Sequence, residues 1–289
     1  MFGECHGHML MNGVNYQEAV HCHENGVNEA VVRKQLEAYR DADVTFVRDG
    51  GDALGVTLLG KRLAPEYGID YRTPSFAIHK TRHYGGIVGK DFANLKEFHR
   101  LVLEAGRDGA DFIKIMTTGI LDFENQGKVT GSPLDKCEVR EMVHIAHEEG
   151  FAVMSHTNGV YGVQAAVEAG VDSVEHGNYM DSATISILAD SNTVWVPTLV
   201  TVRNLRGDGR YDDRVLEPII AHAEENLRQA YEEGVKVALG SDAGAYRVPH
   251  GRGIRDEYEA FWQILGGGAE MDAWLADGER RIREKFRRQ

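Results

Sequence analysis

The 289-residue chain carries 32 Lys plus Arg against 45 Asp plus Glu, a formal net charge of −13, with 42% hydrophobic and 27% charged residues. That balance argues against nucleic acid or an anionic membrane as a partner, since both call for a cationic protein surface. Three cysteines do not suggest a disulfide framework and point to a reducing, cytoplasmic setting, and no segment reads as a signal peptide or a membrane span.

Eight short apolar runs follow one another along the chain, near residues 2–9, 44–48, 70–78, 111–116, 151–156, 172–176, 194–198 and 236–240. They lack polar alternation, the pattern of parallel strands covered on both faces. Helical stretches lie between them. Residues 28–40 are mixed amphipathic, 94–105 place Leu95, Phe98, Val102 and Ala105 at three- and four-residue steps, and 212–233 form a longer stretch with Pro218 near its start. Several helix ends turn at a glycine before the next run, as in "EAGRDGADFIKI" (104–115), "VEAGVDSVEH" (167–176) and "YEEGVKVALGSD" (231–242).

Alternating strand and helix predicts a parallel sheet with right-handed crossovers. Eight such units in 289 residues favour an α/β fold of the (β/α)8 TIM barrel type, a single domain over 1–289 with 269–289 as a C-terminal helical extension. A doubly wound open sheet is the alternative. The glycines of "GDALGVTLLG" (51–60) do not supply the dinucleotide fingerprint that it would carry.

In such a barrel the strand C-termini share the active-site face. His6 and His8 follow the first run, Lys114 the fourth, His156 the fifth, His176 the sixth and Asp242 the eighth. His6 and His8 are two apart on a strand, so both project to one side. Singly, each residue has an ordinary reading: a hydrogen-bonded core histidine, a snorkelling lysine, an aspartate capping a helix. Together on one rim, four imidazoles and a carboxylate point to a transition-metal site. A Schiff-base role for Lys114 would leave the histidines and Asp242 unexplained. "HCH" (21–23) ends no apolar strand and reads as loop. His99, His144, His147 and His222 fall on outer helices and read as structural or solvated.

The ordered stretches "HGHM" (6–9), "VTFVRDGG" (44–51), "GADFIKIMTTG" (109–119), "HEEGFAVMSHTNG" (147–159), "AVEAGVDSVEHG" (166–177), "VWVPTL" (194–199) and "GVKVALGSDAG" (234–244) resemble the amidohydrolase superfamily, in the branch of imidazolonepropionase and prolidase-like Xaa-Pro dipeptidases. The resemblance implies a binuclear centre of two divalent ions, zinc foremost. His6, His8 and Asp242 would hold one ion, His156 and His176 the other, and Lys114 would bridge them as a carbamate formed with carbon dioxide. An ammonium has no acceptor and cannot ligate a cation, whereas a carbamate can.

It further implies hydrolysis of an amide bond in a small molecule such as a dipeptide, N-acyl amino acid or cyclic amide. A metal-bridging hydroxide would attack, with Asp242 as general base and acid. A lactonase or other ester-type hydrolase on the same centre, or a catalytically inactive metal-binding barrel, remains an alternative. The deaminase branch fits less well, because Gly159 stands where those enzymes place a Glu.

Two features depart from the pattern. The flanking β-sandwich usual in the family is not expected here, and Glu4 stands where the motif usually has Asp. Substrate contacts are expected from Arg48, His83, Tyr84, Tyr161 and Tyr246, with His79, Arg203, Arg247 and His250 as further rim candidates. A homo-oligomer is expected.

Overall fold

The computed structural model describes residues 2–125 and 127–288. In chain order the strands are β1 (Glu4–Gly7), β2 (Phe46–Asp49), β3 (Asp70–Arg72), β4 (Ala77–Lys80), β5 (Gly89–Phe92), β6 (Ile113–Met116), β7 (Val153–Thr157), β8 (Ser173–His176) and β9 (Val194–Val196). The helices are α1 (Tyr16–His21), α2 (Glu29–Asp41), α3 (Val56–Leu63), α4 (Leu95–Asp108), α5 (Lys136–Glu148), α6 (Val160–Ala169), α7 (Ser182–Asp190), α8 (Val200–Arg203), α9 (Asp213–Glu232), α10 (Arg252–Leu265) and α11 (Ala269–Lys285).

All strand pairs are parallel, in two ladders ordered β1-β2-β3 and β5-β4-β6-β7-β8-β9. Backbone hydrogen bonds join the ladders into a (β/α)8 barrel. On one side Asp111 N donates to Thr73 O (2.8 Å). On the other, the segment 236–239 lies between β9 and β1: Trp195 N donates to Lys236 O (2.8 Å), and Cys5 N donates to Leu239 O (3.0 Å).

Two details differ from the sequence expectation. The third barrel strand is split into β3 and β4, because the chain kinks through Pro74 and Ser75, whose φ is +67°. Strand β5, outside the eight apolar runs, adds itself to the outer edge of β4.

The alternation along each strand sorts the core. Ile113, Ile115, Val153 and Val174 face the helix layer, while Phe46, Phe112, Met154, Val196 and Ala238 fill the barrel interior. Helix α11 closes the end opposite the site. Its Ile282, with the following Phe286, joins the interior cluster, and Phe286 meets Phe112 edge-on with ring centroids 5.3 Å apart.

Local signals set the strand entries. Asn94 caps α4 by accepting from Glu97 N (3.1 Å), and the helix ends at Gly109, whose φ of +89° suits a residue without a Cβ. Four residues later β6 begins, carrying Lys114.

Candidate metal centre

Strand period places Lys114 one step above Phe112 on the interior face and His156 one step above Met154. His176 reaches the same space by another route. Ser173 and Glu175 are the inward residues of β8, so a regular strand would turn His176 outward. Its φ of +69° redirects the chain, and its ring lies 5.0 Å from that of His6 and 4.6 Å from that of His156, centroid to centroid. Asp242 also has a left-handed backbone, with φ +60°. Such strain in non-glycine residues collects at functional sites.

The structure brings all six expected ligands together at the C-terminal mouth. Asp242 Oδ1 lies 3.5 Å from both His6 Nε2 and His8 Nε2, and no hydrogen-bond donor among the described residues serves it. Lys114 Nζ sits 3.2 Å from His6 Nε2 and 3.3 Å from His8 Nε2. These donors fit a cation: His6, His8 and Asp242 offer one ligand atom each, all within 4.8 Å of one another. His156 and His176 supply only two donors beside them. A second ion there needs a further ligand, and Lys114 in its ammonium form cannot be one.

Buried partners fix the rings. His6 Nδ1 lies 2.6 Å from Glu175 Oε2, leaving Nε2 toward Asp242. His156 Nε2 donates to Gly119 O (3.0 Å), which leaves Nδ1 as the basic nitrogen. His176 Nδ1 is held by Thr198 Oγ1 at 2.7 Å, leaving Nε2 free. Such contacts set the tautomer and orientation of a histidine ligand.

Glu4 anchors the first strand to the turn that carries Asp242. Its carboxyl accepts from Ser241 N (2.7 Å), Ser241 Oγ (2.5 Å) and His6 N (3.2 Å), so it ties β1 to the turn carrying Asp242. Asp49 holds the next turn, accepting from Met9 N (2.6 Å), Gly51 N (2.6 Å), Tyr71 Oη (2.7 Å) and Thr57 Oγ1 (2.8 Å).

Burial governs the electrostatics. It depresses all four histidines below their ordinary range, His156 to about 4, so the rings are neutral near pH 7 and able to ligate. Burial also lowers the Lys114 pKa, partly opposed by Asp242 and Glu175, and raises that of Asp242 to about 6.

Above the cluster opens a cavity of about 250 Å³ whose walls include Tyr84, Met116, Leu121, Val202, Leu205 and Tyr246. Tyr84 and Tyr246 thus reach the site, and the Tyr84 ring lies 5.0 Å from that of His156.

Other expected substrate contacts lie elsewhere. Arg48 is fully buried beneath the cluster, donating to Cys5 O (2.7 Å), Ser173 Oγ (2.8 Å) and both Glu175 oxygens (2.9 and 3.0 Å). It balances Glu175 and does not line the cavity. Tyr161 starts α6 outside the cavity, its hydroxyl accepting from Lys136 N (3.3 Å). His83 borders a separate surface depression. His250 is structural, bonded to Tyr39 Oη (2.9 Å) and Met11 O (2.8 Å), and Arg203 pairs with Glu224.

Sequence reasoning missed Glu175, Asp49 and Thr198 as supports, and Arg210 on the cavity wall. Glu175 had a signal, since its parity with Ser173 on β8 predicts an inward carboxylate directly before His176.

Comparison with known proteins agrees with this geometry. A family model described as "Amidohydrolase family" matches residues 41–258. An uncharacterized protein of Mycobacterium tuberculosis, Rv2915c, is 31% identical over 264 residues, covering 84% of this chain and 67% of that protein. The ochratoxinase of Aspergillus niger is 28% identical over 156 residues, 51% of this chain and 32% of that protein.

Among solved structures, a Xaa-Pro dipeptidase with methionine bound in its active site superposes with a TM-score of 0.78 at 21% identity, covering 98% of this chain and 75% of that one. The A. niger ochratoxinase gives 0.79 at 18% identity, covering 96% and 70%. The chain belongs to the amidohydrolase family and is a metal-dependent hydrolase of carbon–nitrogen bonds.

Proposed function

We propose that the chain hydrolyses an amide bond in a small molecule, a dipeptide, N-acyl amino acid or cyclic amide, at a centre of two divalent ions, zinc foremost. The observation that carries this reading is Asp242 Oδ1, buried without a donor and 3.5 Å from two histidine nitrogens, at the floor of an open cavity. The described helices include none long and apolar enough to cross a membrane, and the three cysteines are free, which supports a cytoplasmic setting. The neighbours' names, a Xaa-Pro dipeptidase and an ochratoxinase, support a small-molecule amide as substrate.

His6, His8 and Asp242 would hold one ion, and His156 and His176 the other, with Lys114 carboxylated between them. Divalent ions held there would polarise the amide carbonyl and supply a nucleophilic water at neutral pH. Each chain residue has a defined task. Glu175 and Thr198 hold the His6 and His176 rings, and Glu4 fixes the turn of Asp242 against β1. Asp242 takes the proton from the attacking water and carries it to the leaving nitrogen.

The test is a screen of metal-replete protein against dipeptides, N-acyl amino acids, lactams and lactones, beside Asp242→Asn. Amide turnover lost in the variant supports the reading. Two bound ions without turnover of any amide would reject it in favour of a binding barrel.

A further inference from the structure

The cavity wall carries one guanidinium. Arg210, in the loop between α8 and α9, is the only Arg or Lys lining the cavity apart from Lys114, among the described residues. Its Cζ lies 4.4 Å from the centre of the Tyr246 ring and 5.6 Å from that of Tyr211. Tyr211 in turn stacks on Phe123, with centroids 4.3 Å apart and planes 21° apart. The guanidinium thus rests on an aromatic wall that limits its rotamers.

No carboxylate among the described residues comes within 4.0 Å of the guanidinium nitrogens. The nearby Asp208 is engaged otherwise. Its Oδ1 accepts from the backbone N–H of Arg210 (2.8 Å), and its Oδ2 faces Arg247 Nε (3.4 Å). Beside it the wall is largely apolar, with Ile120, Leu121, Val202 and Leu205, interrupted by Asn158, Asn178 and Thr201. A planar cation without an ion-pair partner, at the rim of an apolar cavity, matches a ligand that is apolar in its body and anionic at one end.

We propose that Arg210 is a specificity-determining residue that binds the carboxylate of the substrate, and that the substrate is an amide of an amino acid with a large apolar side chain. The apolar wall receives that side chain, while Arg210 selects the free acid over uncharged analogues. This rests on the hydrolase reading above for the reaction but not for the binding.

The experiment is calorimetric titration of the purified metal-containing protein with N-acetyl-L-phenylalanine and with its C-terminal amide, for the parent, Arg210→Met and Arg210→Lys. Acetate release from both compounds is measured in parallel. A charge-assisted bidentate contact corresponds to a factor of roughly ten to a hundred in affinity. The parent is expected to bind the acid at least about tenfold more tightly than the amide. Arg210→Met should abolish that preference without changing the melting temperature, and Arg210→Lys should restore only part of it.

Where acetate is released, the Arg210→Met effect should fall on KM, with kcat little changed. Equal binding of acid and amide by the parent overturns the proposal. So does a preference that survives in Arg210→Met, since the carboxylate would then be held by the metal centre. Intact Arg210-dependent binding without acetate release leaves this inference standing and counts against the hydrolytic reading.

Discussion

His6 Nδ1 lies 2.6 Å from Glu175 Oε2, and that carboxylate also receives the Arg48 guanidinium at 2.9 and 3.0 Å, all three side chains being fully buried. The contact couples a proposed ligand ring to a buried ion pair, so charge balance and site geometry depend on the same group. Removing one member of a buried pair strands the other and costs about 3–5 kcal/mol. Arg48→Met is therefore expected to lower unfolding free energy by about that amount in a urea titration. A substrate-binding role would instead raise KM while leaving stability unchanged. Glu175→Gln should weaken metal binding about 10- to 100-fold, as loss of a ligand's buried partner does elsewhere.

Gly50 closes on the cluster from β2. A Cβ at this position would lie 2.1 Å from His8 Cε1 and 2.7 Å from Lys114 Nζ. Both groups belong to the site, so neither can retreat without leaving its partners. Gly50→Ala is expected to fold, since the strain can be relieved toward the cavity, but to lose most of its bound metal. Elemental analysis beside a thermal melt checks this. Full metal content in a folded variant would contradict the close approach.

Much of the site is legible in the sequence because parallel strands end on one face. Once β6 and β7 are placed, Lys114 and His156 must lie near one another, whereas His176 joins them only through its left-handed backbone. Longer-range and irregular features are hidden. The kink at Ser75 and the edge strand β5 depend on backbone conformations that no apolar pattern marks. Arg48 reads as a rim cation because a buried arginine is rare; its partner Glu175 lies 127 positions away. His83 sits in the loop after β4 but borders a separate depression, and Tyr161, in the first turn of α6, is turned toward Lys136. Arg210 is missed because it follows α8 by several residues, in a polar stretch resembling ordinary solvated loop.

Lys114 is the chemically testable part of the proposed two-ion centre. Burial lowers its pKa, which favours the neutral amine needed to react with carbon dioxide. Carboxylation is expected to appear as a carbamate carbon signal when protein is loaded with metal in carbon-13-enriched bicarbonate. Lys114→Arg, which keeps a cation but cannot be carboxylated, should show no such signal and bind about one ion fewer per chain than the parent. Equal ion content in Lys114→Arg and the parent would remove the lysine from the bridge.

Metal uptake should follow the protonation of Asp242. In the metal-free chain this carboxyl has its pKa raised to about 6, chiefly by burial, with the Lys114 charge working against the rise. Below that value it holds a proton and is a poor ligand; above it the carboxylate is available. The histidines shift in the opposite direction, because burial favours the neutral form of each group. Their pKa values are depressed, His156 to about 4, so the rings stay neutral through the range where Asp242 titrates and compete with the ion only in more acid solution. Affinity is therefore expected to be nearly level from pH 8 to about 6.5, then to fall about tenfold per unit as Asp242 takes up one proton, and more steeply once the rings protonate. Chelator-competition titrations across this range measure the slope directly. Asp242→Asn should bind more weakly throughout and lose the inflection near pH 6, because its amide has no proton to exchange there. An inflection that persists in Asp242→Asn would assign the controlling proton to another residue of the cluster.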